Sequence, residues 1–275
     1  MRCVITAGIS DKRAGEMNKL FLIAGPCVIE NYETPVHIAN SVKTMCDALG
    51  IDYIFKASYR KANRTKEDSF KGIGDEQALQ IIHDIGKSLG IRTLTDIHES
   101  HEADMAAQYV DVLQIPAFLC RQTSLLHAAG QTGKIVNIKK GQFLSPEAMK
   151  YPVEKVMAIG NKNVWLCERG STFGYDSLIV DATVMPRLKK HGVPVVMDCT
   201  HSVQVPNQTS GVTGGNPEFI ETMGRFAAAT GADGLFIETH PDPAHALSDG
   251  ATMLHLDLLY NILEKVIRIY KALEA

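Results

Sequence analysis

The chain has no CxxC pair, no apolar run long enough to cross a bilayer and no excess of basic charge. Its six cysteines, at 3, 27, 46, 120, 167 and 199, are dispersed. A chain of 275 residues can bury a large core and needs no disulfide framework, so dispersed cysteines point to a reducing compartment. A membrane helix needs about 18 or more consecutive apolar residues, and Gly, Pro and polar residues break every uncharged stretch short of that. The 28 Lys+Arg set against 31 Asp+Glu leave a net charge of −3, without the basic surface that nucleic acid requires. No G-x-G-x-x-G or Walker sequence follows a strand-like run, which weakens a nucleotide-binding reading. No linker or low-complexity segment divides the chain. The opening stretch to Met17 has no long apolar region ahead of its charges, so it does not read as an export signal. A cytoplasmic protein that engages neither nucleic acid nor membrane is expected.

What is present is an average globular composition, 45% hydrophobic and 21% charged, carrying a regular alternation. Strand-like runs are expected at 21–25, 53–55, 92–95, 112–115, 135–138, 164–167, 193–197 and 234–237. Between them lie helical spacings. Thr34-Pro35 offers a capping hydroxyl and a first-turn proline, followed by Ile38, Val42, Met45 and Leu49 and stopped by Gly50. Ala78, Ile81, Ile82, Ile85 and Leu89 repeat the pattern up to Gly90, and Asn216-Pro217 opens another helix running to Gly231. A final helix spans roughly 257–273. Short apolar strands alternating with helices indicate a parallel sheet covered by helices. Eight such units predict an α/β protein with a (β/α)8 TIM-barrel fold, one domain over 1–275, its extension 1–19 capping the barrel.

Active sites of such barrels lie at the C-terminal ends of the strands. Those positions carry Cys27, Lys56, Asp96, Gln114, Lys139, Arg169, His201, Glu238 and, in the last loop, Asp249. Two subsets separate by chemistry. Lys56, Lys61, Arg64, Arg121, Lys139 and Arg169 are cations in a net-negative protein and suit phosphate or carboxylate substrates. Solvated surface charge is the bland alternative for any one of them. Cys27, His201, Glu238 and Asp249 form a mixed S/N/O set of the kind that holds a divalent transition metal. None stands at a short ligand spacing, so from residues alone a buried inert thiol and a hydrogen-bonded core histidine explain the first two better than a metal site does.

Nine blocks resemble 3-deoxy-D-manno-octulosonate 8-phosphate (KDO 8-phosphate) synthases: IAGPCVIE (23–30), FKASYRKANRT (55–65), LTDIHE (94–99), LQIPAFLCRQT (113–123), VNIKKGQF (136–143), LCERGSTFGY (166–175), MDCTHSVQ (197–204), GLFIETHPDP (234–243) and ALSDGA (246–251). The resemblance implies a transferase that condenses phosphoenolpyruvate with D-arabinose 5-phosphate and water, releasing phosphate. It implies that Lys139 and Arg169 hold phosphoenolpyruvate, helped by Lys56, Gln114 and the Pro116-Ala117 backbone. Asn63 and Arg64 of the block that begins at Lys61 would hold the pentose phosphate, and Ser58 and Asp96 would line the pocket. Arg121 would reach a neighbouring active site within a homotetramer. Catalysis would fall to Lys139, His201, Glu238 and Asp249.

The family divides into metal-dependent and metal-independent enzymes, the latter with Asn in place of the Cys of the first block. Cys27 therefore implies the metal-dependent class, with Cys27, His201, Glu238 and Asp249 as ligands of Zn, Fe, Mn or a similar ion. Three residues and one short run depart from the family pattern: Arg60 where an acid is usual, Lys71 for Arg, Ser124 for Asp, and Tyr175-Asp176-Ser177 for a Tyr-Asn-Asn run. Arg60 is expected to invert a charge beside the pentose site. The segment 205–215, rich in Gly, Ser, Thr and Asn, is expected either to close as a lid or to be an ordinary surface loop. Three other activities fit the residues less well: the related 3-deoxy-D-arabino-heptulosonate 7-phosphate synthase using erythrose 4-phosphate, a metal-dependent aldolase, and a non-catalytic sugar-phosphate-binding barrel.

Overall fold

Eight short apolar runs form the strands of the computed structural model, which describes residues 19–62, 69–172, 177–205 and 214–273. They are β1 (Phe21–Gly25), β2 (Asp52–Lys56), β3 (Arg92–Asp96), β4 (Val112–Ile115), β5 (Ile135–Lys139), β6 (Val164–Glu168), β7 (Val195–Asp198) and β8 (Gly234–His240). Each pairs in parallel with the next, and β1 pairs with β8 from Phe21 opposite Gly234 to Gly25 opposite Glu238. That last pairing closes the sheet into the expected (β/α)8 barrel. The helices around it are α1 (Glu33–Leu49), α2 (Asp75–Leu89), α3 (Glu102–Ala106), α4 (Thr123–Gln131), α5 (Lys150–Ala158), α6 (Val184–Lys189), α7 (Ile220–Ala229) and α8 (Leu256–Ala272). None of the described helices is long and apolar enough to cross a membrane.

Side chains alternate across a strand, so every second residue points into the barrel. Phe21, Ile23, Ile54, Leu94, Val112, Trp165, Cys167, Val196 and Phe236 form an inner apolar cluster, with the Phe21 and Trp165 rings 4.9 Å apart. The intervening residues, among them Leu22, Phe55, Leu113, Ile138, Leu166 and Ile237, pack outward against the helices. Two residues beyond an inner apolar position comes a buried polar one on the same inward column: Ile54 then Lys56, Leu94 then Asp96, Val112 then Gln114, Val196 then Asp198, Phe236 then Glu238. The apolar plug thus excludes water beneath a ring of polar groups. The same alternation places Lys139 and Arg169 on that ring.

Two helix starts differ from the sequence reading. Helix α1 begins at Glu33, so Thr34 lies inside its first turn, and the Asn31 Oδ1 accepts the Thr34 backbone N–H at 2.8 Å. Thr34 cannot cap a helix it already lies inside; it donates its own N–H to the Asn31 side chain that precedes the helix. Asn216-Pro217 leads into a 3-10 turn, Pro217–Phe219, before α7 starts at Ile220. The extension 1–19 lies outside the described residues apart from Lys19, whose Nζ donates to Asp52 at 3.0 Å. Of the segment 205–215 only the base is described, a two-stranded antiparallel pairing of Gln204–Val205 with Gly214–Gly215.

Candidate active site

The C-terminal end of the barrel opens into a cavity of about 1220 Å3, somewhat above the roughly 300–1,000 Å3 usual for a single small molecule. Lys56, Ser58, Lys61, Asp96, Gln114, Pro116, Ala117, Lys139, Arg169, His201, Glu238 and Asp249 line it, and Cys27 is buried behind Asp249. Asn63, Arg64 and the run 173–176 lie outside the described residues. Arg121 is exposed and does not line the cavity.

One wall is cationic. The Lys139 Nζ donates to Asp198 at 2.6 Å and stands 4.1 Å from the centre of the Phe236 ring. Arg169 donates through Nη2 to the His201 carbonyl at 2.7 Å and to Gln204 Oε1 at 2.8 Å, while its buried Nε has no hydrogen-bond partner. Glu168 fixes the peptide that carries Arg169, accepting the Arg169 and Gly170 N–H groups at 2.9 and 2.5 Å. Lys140, though adjacent to Lys139, turns away under the loops, donating to Ser171 Oγ at 2.8 Å with Glu168 3.5 Å away. Two neighbouring lysines therefore do different jobs, one presented to a ligand and one tying loops together.

The second wall is acidic and thiol-bearing. Cys27, Glu238 and Asp249 bring one donor atom each to within 4.8 Å of one another. The Cys27 Sγ is 2.8 Å from Ser248 Oγ and 3.3 Å from Asp249 Oδ2. His201, the fourth expected ligand, lies alongside that trio, its Nε2 3.8 Å from Glu238 Oε2. The Nδ1 of His201 faces Asp198 at 2.8 Å, which directs Nε2 toward Glu238. The buried Oε2 of Glu238 has no hydrogen-bond partner, while Oε1 is taken by Lys56. Burial would raise the Glu238 carboxyl, but Lys56, His201, Lys61 and Lys139 hold it far below the usual carboxylate range. Burial, with Asp249 and Glu238 beside it, pushes the Cys27 thiol up. An unpartnered carboxylate oxygen, a second acid and a thiol whose donor atoms converge, with an oriented imidazole beside them, are a donor set of the kind that suits a divalent cation.

Backbone constraints set this wall. A side chain at Gly25 would place its Cβ 2.0 Å from the Lys56 carbonyl oxygen, and one at Gly250 would lie 2.1 Å from that of Pro243. Asp249 itself is held at φ 48°, the left-handed region that Asp tolerates better than bulkier residues.

The third wall belongs to β2 and β3. Ser58 Oγ donates to Asp96 Oδ1 at 2.5 Å and accepts from Lys61 Nζ at 2.9 Å, and His98 Nε2 is 3.3 Å from Asp96 Oδ2. Burial opposes ionisation of Asp96, yet His98, Lys61 and Lys56 hold its pKa at about 2. Arg60 does not invert the charge here. It turns away from the cavity to pair with Asp75 at 3.0 Å and with Glu102. Sequence reading had no means of seeing Glu102, which lies on α3 with no strand-end position to mark it. Asp198 it missed too, although the inward column from Val196 was available as a signal.

The fold and this cavity define an enzyme of small, phosphorylated and carboxylated substrates. The chain belongs to the DAHP synthetase I family, whose model matches residues 4–274. It is similar to the 2-dehydro-3-deoxyphosphooctonate aldolase of Koribacter versatilis, 50% identical over 257 residues and 92% of either chain. The protein of that name from Trichlorobacter lovleyi is 49% identical over 258 residues, 94% of this chain and 95% of its own. The one from Cyanothece sp. is 47% identical over 263 residues, 96% of each.

Proposed function

We propose that the cavity condenses phosphoenolpyruvate with D-arabinose 5-phosphate and water to give 3-deoxy-D-manno-octulosonate 8-phosphate and inorganic phosphate. The observation that carries this is the placement of Lys139 and Arg169 on one wall facing Cys27, Glu238 and Asp249 on another, within one mouth. The octonate of the relatives' name has eight carbons, three from phosphoenolpyruvate and five from a pentose phosphate. A four-carbon sugar would give the seven-carbon product instead. In the cell the product feeds KDO synthesis for lipopolysaccharide or a plant wall polysaccharide, and the enzyme works in the cytoplasm.

In the reaction the methylene carbon of phosphoenolpyruvate attacks the aldehyde carbon, water adds at the enol carbon, and the bond from that carbon to the phosphate oxygen breaks. Lys139 and Arg169 neutralise the phosphate and carboxylate, and the Nε of Arg169 has a hydrogen bond to give. Lys56, Gln114 and the Pro116-Ala117 backbone fix the orientation of that substrate, which removes much of the entropic barrier. Ser58, Lys61 and Asp96 receive the sugar, with Asn63 and Arg64 on its phosphate. Cys27, His201, Glu238 and Asp249 would hold a divalent metal. When bound, the metal supplies Lewis acidity to the aldehyde or to water. Asp198 keeps His201 in one orientation, its Nε2 turned to the Glu238 side as a ligand, and the Asp249 carboxylate takes the proton that water gives up. Arg121 acts from a neighbouring subunit of a homotetramer.

Phosphate release from the two substrates, before and after chelation and with metal restored, tests the reading. We expect turnover to be lost to the chelator and recovered with Zn, Fe or Mn. Turnover that survives verified metal removal would reduce Cys27 to a structural thiol. Turnover with erythrose 4-phosphate in preference to arabinose 5-phosphate would overturn the substrate assignment.

A further inference from the structure

Residues 58–61 are divided between two directions. Ser58 and Lys61 face the cavity, whereas Tyr59 and Arg60 point the other way into a buried cluster centred on Glu102. Glu102 is only 1% exposed, yet its carboxyl lies below the ordinary range. Burial alone would raise it, and the His98 N–H, the Tyr59 hydroxyl and Arg60 reverse that. Its Oε2 accepts from the Tyr59 hydroxyl at 2.7 Å and from the His98 N–H at 2.8 Å. One carboxylate therefore grips both strand-end loops of the third wall: the β2 loop through Tyr59 and Arg60, the β3 loop through the His98 peptide. Arg60 carries the grip onward to Asp75 at the start of α2. Beyond the grip the polar order continues from His98 to Asp96, to Ser58 and to Lys61. Among the described residues no hydrogen bond or ion pair joins this cluster to Lys139 or Arg169 on the opposite wall.

We propose that Glu102 is a positioning residue for the sugar phosphate alone, setting Asp96, Ser58 and Lys61 through His98 and Tyr59 while leaving the phosphoenolpyruvate wall untouched. The inference rests on the assignment of the third wall to the sugar made above. A buried carboxylate that loses its charge leaves Arg60 with Asp75 alone, weakens the hold on the Tyr59 hydroxyl and the His98 N–H, and frees the two loops to separate. The sugar then loses aligned partners while the other substrate keeps its own.

Glu102→Gln and Tyr59→Phe test it, each measured for KM with both substrates and, separately, for calorimetric binding of arabinose 5-phosphate and of phosphoenolpyruvate. The expected result is a rise of about tenfold in KM and Kd for arabinose 5-phosphate, with phosphoenolpyruvate changed less than about twofold. Equal weakening of both substrates would overturn the proposal and make Glu102 a general structural support. Unchanged affinity for the sugar phosphate in both variants would overturn it as well. Should Glu102→Gln fail to fold, Tyr59→Phe removes only a hydroxyl and reads the same split. Wild-type protein that binds both compounds without turnover would sink the proposed reaction and leave this selectivity readable. Protein that binds neither would overturn both.

Discussion

Asp96 shows how a single buried acid couples this cavity to stability. Its carboxylate faces His98, accepts the Ser58 hydroxyl and lies in the field of Lys61 and Lys56. Burial works against the charge, and these neighbours more than offset it, so the pKa falls from its ordinary 3.8 to about 2. A depressed carboxylate stabilises the fold wherever it is ionised in both states, that is, above about pH 4. The stabilisation fades as the pH drops through the window from 4 to 2, and is worth about 2 kcal/mol. Glu102 is depressed as well and adds to the same acid-side loss. Urea unfolding at stepped pH values checks this. Asp96→Asn is expected to flatten the loss of stability between pH 5 and pH 2 by about that amount, and identical slopes for the two proteins would contradict the assignment.

At the level of elements, the barrel was legible because strands buried on both faces read as apolar runs; seven of the eight lie within two residues of their expected bounds, and β8 runs three residues past its expected end. The inward column was legible too, which is why Lys56, Asp96, Gln114 and Glu238 stand where strand-end reasoning put them. What lies past the strands was not. Lys139 is the last residue of β5 and its direction follows from the pleat, but Lys140 is off the strand and its burial under two loops has no periodic signal. Arg60 looks in sequence like a residue beside the sugar, and only its partners Glu102 and Asp75, 42 and 15 positions away, reveal that it turns outward. The start of α1 failed for a local reason, since Asn31 and Thr34 are both capping residue types and the choice depends on backbone direction. Asn31→Ala removes the oxygen that accepts the Thr34 N–H and is expected to cost about 1 kcal/mol in denaturant unfolding. Thr34→Ala should cost well under half of that, and the reverse order would restore Thr34 as the cap.

The whole molecule raises the question of what Arg121 is for. It is exposed, outside the cavity, and its carbonyl accepts the Lys155 Nζ at 2.7 Å, which ties its loop to α5. Phe118 at 46%, Phe143 at 57% and Tyr151 at 63% exposure lie on the same loops and helix, at the cavity end of the barrel. Large apolar side chains left exposed in this way are what copies of a chain cover where they meet. With such a contact two-fold, Arg121 of each subunit would face the site of the other, and the two halves of a site can be separated genetically. Arg121→Ala removes the donated arginine, whereas Lys139→Ala disables the recipient site. Each variant alone should be nearly inactive toward arabinose 5-phosphate. Co-expressed in equal amounts they pair at random, half of the pairs are mixed, and each mixed pair holds one complete site, so about a quarter of wild-type activity should return. Sedimentation of the wild-type protein as a single chain, or mixtures no more active than their components, would confine Arg121 to its own subunit. Restored activity would show that the site is finished only when two chains meet.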